Sequence, residues 1–336
     1  MINKTNNEKI DFVVLWVNDN DPKWLKKKAE YSPALDSDNG NSRYRDWDLF
    51  KYWFRGIERN APWVNNIFLV TDHQAPDWLN TNHPKIKLIN HEDYIDKKYL
   101  PLFNSSAIEC TLCNINGLSN KFVLFNDDMF IINKTKSRDF FLNNLPRDEF
   151  AECPVRPNAG DTIFSHILIN NTEIVNSHFN KKKNYIKQPF KYLNIKYGRN
   201  NLRTLSSLLY KEYIGFHNPH IPQAFDKKTW QNVYEKNKPV FELTLNNRFR
   251  SKTDITQYLI RYFQLASGNF IPRSSGFGRY FDINEKNIKK IIKHIVKRKT
   301  KTVCLNDNDD GNVENHKIAI NEAFLKIFPE KSSFEK

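Results

Sequence analysis

An alternation of short apolar segments with amphipathic ones is the feature of this sequence that most limits its fold. In the first 130 residues, apolar segments of strand length cover residues 11–17, 66–71, 86–90 and 121–125. Helical periodicity of apolar side chains occurs between them, at residues 47–60 and 105–115. Strands that alternate with helices predict an α/β fold, with a mostly parallel sheet and helices on both of its faces.

The pattern changes after about residue 150, where strand signals become rare. Residues 180–183 and 194–203 are basic and rich in asparagine, and residues 253–266 have the periodicity of an aromatic core helix. We therefore predict two parts that together form one catalytic unit. An α/β half covers residues 1–150, and a mixed, more helical half covers residues 151–336 and completes the site.

A basic amphipathic segment at residues 285–301 allows two interpretations. Its isoleucines form one stripe and its lysines lie elsewhere on the helix. In the first interpretation the isoleucines pack on the core and the lysines form a solvated face. In the second, the basic face holds the protein near an anionic membrane or a polyanionic product.

The net charge limits the partners of the chain. At +14 for 336 residues, it favours nucleic acid, acidic lipid or phosphate-bearing partners. The positive charge is spread through the second half without a recognisable nucleic-acid motif, so we expect no nucleic-acid partner. An apolar fraction of 39% is enough for a sizeable core and argues against a disordered chain.

No targeting segment is visible in the sequence. The first apolar run, at residues 10–17, contains Asp11 and is too short for a signal peptide or a membrane span. Four cysteines are few for a secreted chain and fit a reducing compartment. We therefore expect a cytoplasmic protein, which could lie at the inner face of the cytoplasmic membrane.

Polar residues follow three of the predicted strands. Asn18 comes after the first strand, Gln74 shortly after the second, and Asp127 and Asp128 after the fourth. Open parallel sheets bind ligands at the carboxyl ends of their strands, so these residues predict a site at that edge. The alternative is that they only form turns and cap helices.

Two acidic tips have the chemistry of a cation site. Asp127 and Asp128 are adjacent, and Asn306 and Asp307 follow a predicted strand at residues 302–305. Such hard oxygen ligands suit Mg²⁺ or Mn²⁺ held against a diphosphate. An Asp pair at a strand end is also common in ordinary turns.

Histidines and arginines provide a candidate base and candidate phosphate ligands. His217 and His220 flank a rigid Pro219, which is compatible with a general base or with structural histidines. Arg43 and Arg250 each belong to a pair of closely spaced arginines. Guanidinium groups bind phosphate oxygens in a bidentate way, although a solvated arginine is the usual case.

Taken together and in order, four segments resemble the conserved regions of the Stealth family. Residues 10–18, with the sequence IDFVVLWVN, are similar to the first region, and residues 43–130 to the second. Residues 217–220, with the sequence HNPH, resemble the third, and residues 304–308 the fourth. The resemblance spans residues 10 to about 310.

Stealth proteins are hexose-1-phosphoryltransferases of bacterial capsules and cell surfaces, and they include an animal enzyme that tags lysosomal glycans. The resemblance implies an enzyme that moves a sugar-1-phosphate from a nucleotide-sugar, UDP-linked in our expectation, to a glycan hydroxyl. The product would be a phosphodiester in a capsular or cell-surface polysaccharide. The acceptor would be an oligo- or polysaccharide, which could be lipid-linked, and contact with the membrane would be peripheral.

The resemblance also implies roles for individual residues. His217, Asp128 and Arg250 correspond to catalytic positions of the family. Metal ligands are expected at Asp127, Asp128 and Asp307, with Mg²⁺ or Mn²⁺ as the cofactor. Substrate-binding roles are expected for Asp11, Trp16, Asn18, Arg43, Gln74, His220 and Asn306.

This chain departs from the family pattern in two places. Asp48 stands where Glu is usual, and His73 where Gly is common, so the identity of the donor stays open. The chain as given lacks the additional modules and membrane spans of the animal enzyme, which favours the bacterial branch.

Two rival functions also stay open. One is a metal-dependent glycosyltransferase that forms a glycosidic bond and releases nucleoside diphosphate. The other is a basic protein without catalytic activity that binds nucleic acid or a membrane surface.

Overall fold

The computed structural model describes residues 9–31, 47–157, 162–308 and 311–336. The strands are β1 (Ile10–Leu15), β2 (Ile67–Thr71), β3 (Ile86–Asn90), β4 (Lys121–Asn126), β5 (Met129–Ile131), β6 (Phe141–Leu142), β7 (Leu145–Asp148), β8 (Gln223–Asp226), β9 (Ile271–Pro272), β10 (Gly278–Ile283) and β11 (Thr302–Asp307). The helices are α1 (Pro22–Tyr31), α2 (Phe50–Asn60), α3 (Ser105–Cys110), α4 (Thr162–His178), α5 (Lys181–Lys187), α6 (Pro189–Tyr192), α7 (Asn200–Ser207), α8 (Lys227–Lys236), α9 (Lys238–Leu245), α10 (Tyr258–Ser267), α11 (Ile288–Val296) and α12 (Val313–Ile327).

A five-stranded sheet with the strand order β3-β2-β1-β4-β8 forms the centre of the fold. The first four strands in this order are parallel, and β8 pairs antiparallel with β4 at the edge. Val13 of β1 is aligned with Phe68 of β2 and with Leu124 of β4. The predicted α/β class with a mostly parallel sheet is therefore confirmed.

Both faces of this sheet are covered, which explains why its strands are continuous apolar runs. Phe12 and Val14 pack in one buried cluster with side chains of α2 and α12, and Val13 packs in the other with side chains of α3 and α10. Close packing continues beyond the sheet. A Cβ atom at Gly56 of α2 would lie 2.6 Å from the carbonyl oxygen of Ile131, so α2 can approach β5 only with glycine there.

A second, three-stranded sheet joins distant parts of the chain. Its order is β10-β11-β5, with β11 parallel to β10 and antiparallel to β5. β5 follows β4 after a turn of two residues, so β11 is brought beside the carboxyl end of the central sheet. The division of the chain at residue 150 stays a prediction.

Several predicted boundaries differ from the observed ones. The strand predicted at 11–17 ends at Leu15, so Trp16 already belongs to the loop. The helix predicted at 105–115 is interrupted, because α3 ends at Cys110 and a 3-10 turn covers Leu112–Asn114. Helix α1 comes from the lysine-rich residues after β1 and was not predicted, and neither were α4, α8, α9 and α12.

Helix α11 settles the packing of the basic segment at 285–301. Ile288, Ile291 and Ile295 are buried in the core, and the lysines of the helix are exposed. The interpretation with a core-facing isoleucine stripe is confirmed. Among the described residues, no helix combines the length and the apolar content needed to cross a membrane.

Candidate active site

A cleft of about 1250 Å³ opens at the carboxyl ends of the parallel strands. This is larger than the roughly 300–1,000 Å³ of a typical small-ligand pocket, so it has room for two substrates. Both halves of the chain contribute side chains to it. Its lining includes eight of the predicted site residues, namely Trp16, Asp127, Asp128, His217, His220, Arg250, Asn306 and Asp307.

Strand pairing brings the two acidic tips together. Asp127 and Asp128 form the turn between β4 and β5, and β5 pairs with β11 so that Met129 is opposite Cys304. The backbone N–H of Leu305 donates to the carbonyl oxygen of Asp128 at 3.0 Å, which extends this pairing by one residue. Continued in the same register, the pairing places residue 306 opposite residue 127. The residues of the second tip therefore lie beside those of the first, and the amide of Asn306 donates to the carboxylate of Asp282 at 3.1 Å.

The carboxylate of Asp128 is the centre of a small cluster. Its Oδ2 lies 3.2 Å from Sγ of Cys304 and 3.7 Å from Nε2 of His220, and its Oδ1 is buried without a hydrogen-bond partner. One ligand atom from each of these three residues lies within 4.8 Å of the others. A buried carboxylate oxygen without a donor fits a bound cation, because a buried acceptor without a partner is otherwise costly.

The donors in this cluster favour a hard cation held by oxygen. Burial raises the pKa of Cys304 well above its ordinary value, and the neighbouring carboxylate of Asp128 raises it further. The thiol is therefore protonated and acts as a hydrogen-bond donor to Asp128, not as a thiolate ligand. Asp127 and Asp307 line the same cleft and provide further carboxylate oxygens.

His217 is held by a buried glutamate. Its Nδ1 lies 2.9 Å from Oε1 of Glu149, and its backbone N–H donates to Ala151. Burial alone would raise the pKa of Glu149, but the hydrogen bond and charge of His217, with Arg261 and Arg273, outweigh it and lower that pKa. An ionised Glu149 accepts a hydrogen bond from the Nδ1–H group of His217. Nε2 is then the nitrogen with the free lone pair, in a histidine that lines the cleft.

The backbone around His217 also requires close packing. Gly215 has a φ of 128°, and a Cβ atom there would lie 2.6 Å from the carbonyl oxygen of Cys153. Glycine therefore allows residues 214–217 to run directly against residues 151–155. This contact places the histidine next to the glutamate, which lies 68 residues away in the sequence.

His220 has different partners from His217. Its Nδ1 lies 3.3 Å from the hydroxyl of Tyr258, and its Nε2 faces Asp128. Burial lowers the pKa of His220, but the carboxylate of Asp128 outweighs this effect, with a contribution from Glu109, so the pKa lies above its ordinary value. The interaction with Asp128 therefore favours the protonated form of His220.

Arg250 lines the cleft beside helix α3. Its Nη2 donates to the hydroxyl of Ser105 at 2.8 Å. Glu109, on the same helix, also lines the cleft. Burial raises the pKa of Glu109 to about 7, and the charge of Arg250 opposes that rise. No role was predicted for Glu109, because nothing in its local sequence distinguishes a cleft carboxylate from a surface one.

Three predicted substrate-binding residues do not line the cleft. Asp11 lies at the amino end of β1, where its buried carboxylate accepts hydrogen bonds from Asn65, Asn66 and Ser119. Gln74 bonds to both the backbone N–H and the carbonyl of Asn18, so these two residues brace the loop after β1. Their observed contacts are structural.

The last two predicted substrate-binding residues are Trp16 and Arg43. Trp16 lines the cleft and stacks on Phe50, with ring centroids 5.8 Å apart and planes inclined by 4°. Arg43 lies outside the described residues.

Further arginines in the cleft were not predicted as site residues. Arg199 and Arg203 come from the start of α7, and Arg279 comes from β10. They had no sequence signal beyond the general basic character of the second half. Together with Arg250 they provide four guanidinium groups in the lining of the cleft, a composition suited to a substrate that carries phosphate.

The cleft lies at the carboxyl edge of a parallel sheet. Its lining includes carboxylates, arginines and a histidine bonded to a glutamate. This combination is typical of an α/β enzyme that acts on phosphorylated substrates. Family models identify it further. The chain belongs to the Stealth family, because it matches Stealth protein conserved region 1 at residues 8–36, conserved region 2 at residues 43–148 and conserved region 4 at residues 293–336.

Relatives match over nearly the whole chain. The chain is 45% identical to a "Capsular polysaccharide phosphotransferase WcwK" of Streptococcus pneumoniae, over 98% of this chain and 99% of that protein. It is 39% identical to the "Exopolysaccharide phosphotransferase cps2G" of Lactiplantibacillus plantarum, over 97% and 96%. It is 38% identical to the "Receptor polysaccharide phosphotransferase WefC" of Streptococcus gordonii, over 98% and 99%.

Similarities to solved structures are distant. The bifunctional glycosyltransferase WbbM matches with a TM-score of 0.41 and 10% identity, over 97% of this chain and 52% of that one. The galactosyltransferase LgtC, in complex with donor and acceptor sugar analogs, matches with a TM-score of 0.37 and 10% identity, over 93% and 95%.

Proposed function

We propose that this protein transfers a hexose-1-phosphate from a nucleotide-sugar, UDP-linked in our proposal, to a hydroxyl of a growing capsular or cell-surface polysaccharide. One observation carries the proposal. The cleft combines a histidine base held by Glu149 with the paired acidic tips and with four arginines. The names of the full-length relatives, all polysaccharide phosphotransferases, support the same reaction.

The acidic tips form the donor end of the cleft. Asp127, Asp128 and Asp307 would hold Mg²⁺ or Mn²⁺, with the amide of Asn306 beside them. When bound, the cation would neutralise negative charge on the donor diphosphate. Trp16, already stacked on Phe50, offers a flat apolar surface to the donor. Arg250 compensates the charge of the phosphoryl group that is transferred.

The acceptor end is defined by His217. Its Nε2 takes the proton of the acceptor hydroxyl while the acceptor oxygen attacks the phosphorus attached to the sugar. A new bond forms between that oxygen and phosphorus, and the bond to the nucleoside monophosphate breaks, with its electron pair leaving on the monophosphate. Glu149 stabilises the imidazolium that results. The acceptor is an oligo- or polysaccharide, carried on a lipid in this proposal.

The nature of the released nucleotide tests this proposal. The enzyme is incubated with UDP-glucose, UDP-galactose and UDP-N-acetylglucosamine and with capsule-derived oligosaccharides, and the products are analysed by phosphorus NMR. We expect UMP and a phosphodiester signal in the glycan product. Release of UDP with a glycosidic product would instead identify a conventional glycosyltransferase.

A further inference from the structure

A concentration of exposed apolar side chains lies outside the cleft, in the segment from α5 to just beyond α7. We call it the apolar face, and it consists of Ile186, Phe190, Ile195, Leu202, Leu205, Leu208, Leu209 and Tyr210. Phe190, Ile195 and Leu209 are 81%, 93% and 90% exposed. Isolated apolar residues are normal on protein surfaces, but eight within 25 residues indicate an interaction surface.

Helix α7 has its polar side turned inward. Thr204 and Ser207 are fully buried, whereas Leu202 and Leu205, three residues apart on another side of the helix, are exposed. Ordinary surface helices have the opposite arrangement, with the apolar stripe facing the core. The exposed leucines are therefore not a by-product of core packing.

Buried polar contacts hold α7 in this orientation. The hydroxyl of Thr204 accepts from the backbone N–H of Glu152, and the carbonyl of Ser207 accepts from Nζ of Lys181 at 2.7 Å. Lys181 and Glu152 form a buried ion pair at 3.0 Å. Tyr192 and Tyr197 are fully buried below the same segment. The apolar face thus lies on a well-anchored platform.

The charge of the segment identifies the partner. Residues 182–211 contain eight lysines and arginines and no aspartate or glutamate. Most of these basic side chains are exposed among the apolar ones. A surface that combines exposed leucine, isoleucine and phenylalanine with lysine and arginine matches the interface of an anionic bilayer, which offers acyl chains and negative headgroups together.

We propose that the apolar face docks the protein on an anionic lipid surface. A second copy of the chain is a poorer partner, because two such faces would repel each other electrostatically. A polyanionic polysaccharide would use the charges but would leave the aliphatic side chains in water. Arg199 and Arg203 of α7 line the cleft, so docking here places the mouth of the cleft at the membrane surface. This inference does not depend on the identity of the reaction.

Vesicle sedimentation tests the proposal without any measurement of activity. The full chain is mixed with vesicles of phosphatidylglycerol and phosphatidylcholine in equal parts, or of phosphatidylcholine alone, at low and high salt. We expect binding to the anionic vesicles, weaker at high salt because exposed charges are screened. A triple variant with Phe190→Ser, Ile195→Ser and Leu209→Ser should bind about tenfold more weakly or worse.

Matched variants separate this surface from general effects. Leu243→Ser, Ile318→Ser and Leu325→Ser remove three exposed apolar side chains elsewhere and should leave binding unchanged. Changing Lys182, Lys183 and Lys187 to Gln should weaken binding to anionic vesicles more than the same change at Lys289, Lys290 and Lys293 of α11. Unfolding temperatures confirm that the variants fold, and Ile195→Ser alone replaces the triple variant if that one does not.

Four results would overturn the proposal. The first is no binding of the wild-type chain to anionic vesicles. The second is equal binding of the triple variant and the wild type. The third is a dimer in solution that the triple variant abolishes while vesicle binding persists, which would assign the apolar face to a second copy of the chain. Equal effects of the two lysine variants would likewise reduce the interaction to non-specific charge and contradict docking at this face.

Discussion

His217 and His220 are three residues apart, yet each is held by a different carboxylate. His217 is bound through Nδ1 to Glu149, whereas His220 faces Asp128 through Nε2. A histidine whose Nδ1 proton is donated to a carboxylate has its second nitrogen available as a base. A histidine directed at a carboxylate of the predicted cation site is better suited to positioning that carboxylate.

We therefore expect His217→Ala to lower kcat by about 10²–10⁴ with little change in the KM for the donor. Glu149→Gln keeps a hydrogen-bond acceptor for Nδ1 but removes the charge that stabilises the imidazolium, so its loss should be smaller. Steady-state kinetics of the two variants measure these effects. The donor used is the one that the nucleotide assay identifies. His73→Ala, at an exposed histidine, is the control. An inactive His220→Ala beside an active His217→Ala would transfer the role of base to His220.

The unsatisfied Oδ1 of Asp128 leads to a second prediction at this scale. Removing divalent ions with EDTA should abolish turnover, and Mg²⁺ or Mn²⁺ should restore it. Asp128→Asn should lower kcat by about 10² or more, the effect of removing one electrostatic stabiliser. Calorimetric titration with Mn²⁺ provides a readout independent of activity. Asp96→Asn, at an exposed acid, is the control. Full activity of a metal-free preparation would disprove the cation site.

At the scale of elements, α10 is the helix that positions His217 and Glu149. Arg261 is fully buried and donates to both carboxylate oxygens of Asp148, to the carbonyls of His217 and Glu149, and to Asn218. One guanidinium group therefore connects both His217 and Glu149 to the same helix. The planar five-donor geometry of arginine makes this possible, and lysine cannot reproduce it.

Arg261→Lys should consequently lower the free energy of unfolding by about 3 kcal/mol, because buried acceptors and the Asp148 carboxylate lose partners. It should also reduce kcat, because His217 and Glu149 would be held less firmly in their relative positions. Urea unfolding followed by tryptophan fluorescence measures the first effect. Arg138→Lys, at an exposed arginine, should change neither quantity. Unchanged stability in Arg261→Lys would show that Arg261 is not the organising contact.

At the scale of the whole molecule, the last residues of the chain pack on the first half. Arg55 of α2 forms two hydrogen bonds to the carboxylate of Glu335, at 2.8 and 2.7 Å, and a third to the carbonyl of Phe328. Phe334 packs against Phe54. Burial alone would raise the pKa of Glu335, but its hydrogen bonds with Arg55 and Ser332 lower that pKa below its ordinary value of 4.5.

The lowered pKa of Glu335 determines how the stability of the fold changes with pH. Since the folded-state pKa of Glu335 is lower than the unfolded value, the ion pair stabilises the fold above pH 4.5 and is lost as the pH falls below it. Glu335→Gln should therefore cost about 1–3 kcal/mol at pH 7, and the difference from wild type should shrink in acid. Urea unfolding over a pH series measures this, with Glu322→Gln as the control. A difference that does not change with pH would exclude the ion pair as its source.

Local patterns in the sequence were sufficient for the four parallel strands of the central sheet, but not for β8 at its edge. The runs at 11–17, 66–71, 86–90 and 121–125 became β1 to β4 with small shifts at their ends, because strand periodicity and helix periodicity are properties of neighbouring residues. The position of Asp127 and Asp128 at a strand end followed from the same patterns. His217, Arg250, Asn306 and Asp307 were candidates from their residue types, the resemblance to the Stealth family assigned them roles, and all four line the cleft.

Contacts between distant residues were decided only by the tertiary structure. Glu149 lies 68 residues from His217, and Cys304 lies 176 residues from Asp128, so no local pattern could pair them. The same reason explains Asp11, whose carboxylate binds loops at the far end of β1 because of how the strands are connected. Helix α7 is the clearest case. Periodicity alone would assign its leucines to the core. In the structure, the polar side of the helix contacts the buried Lys181–Glu152 pair, and the leucines face solvent.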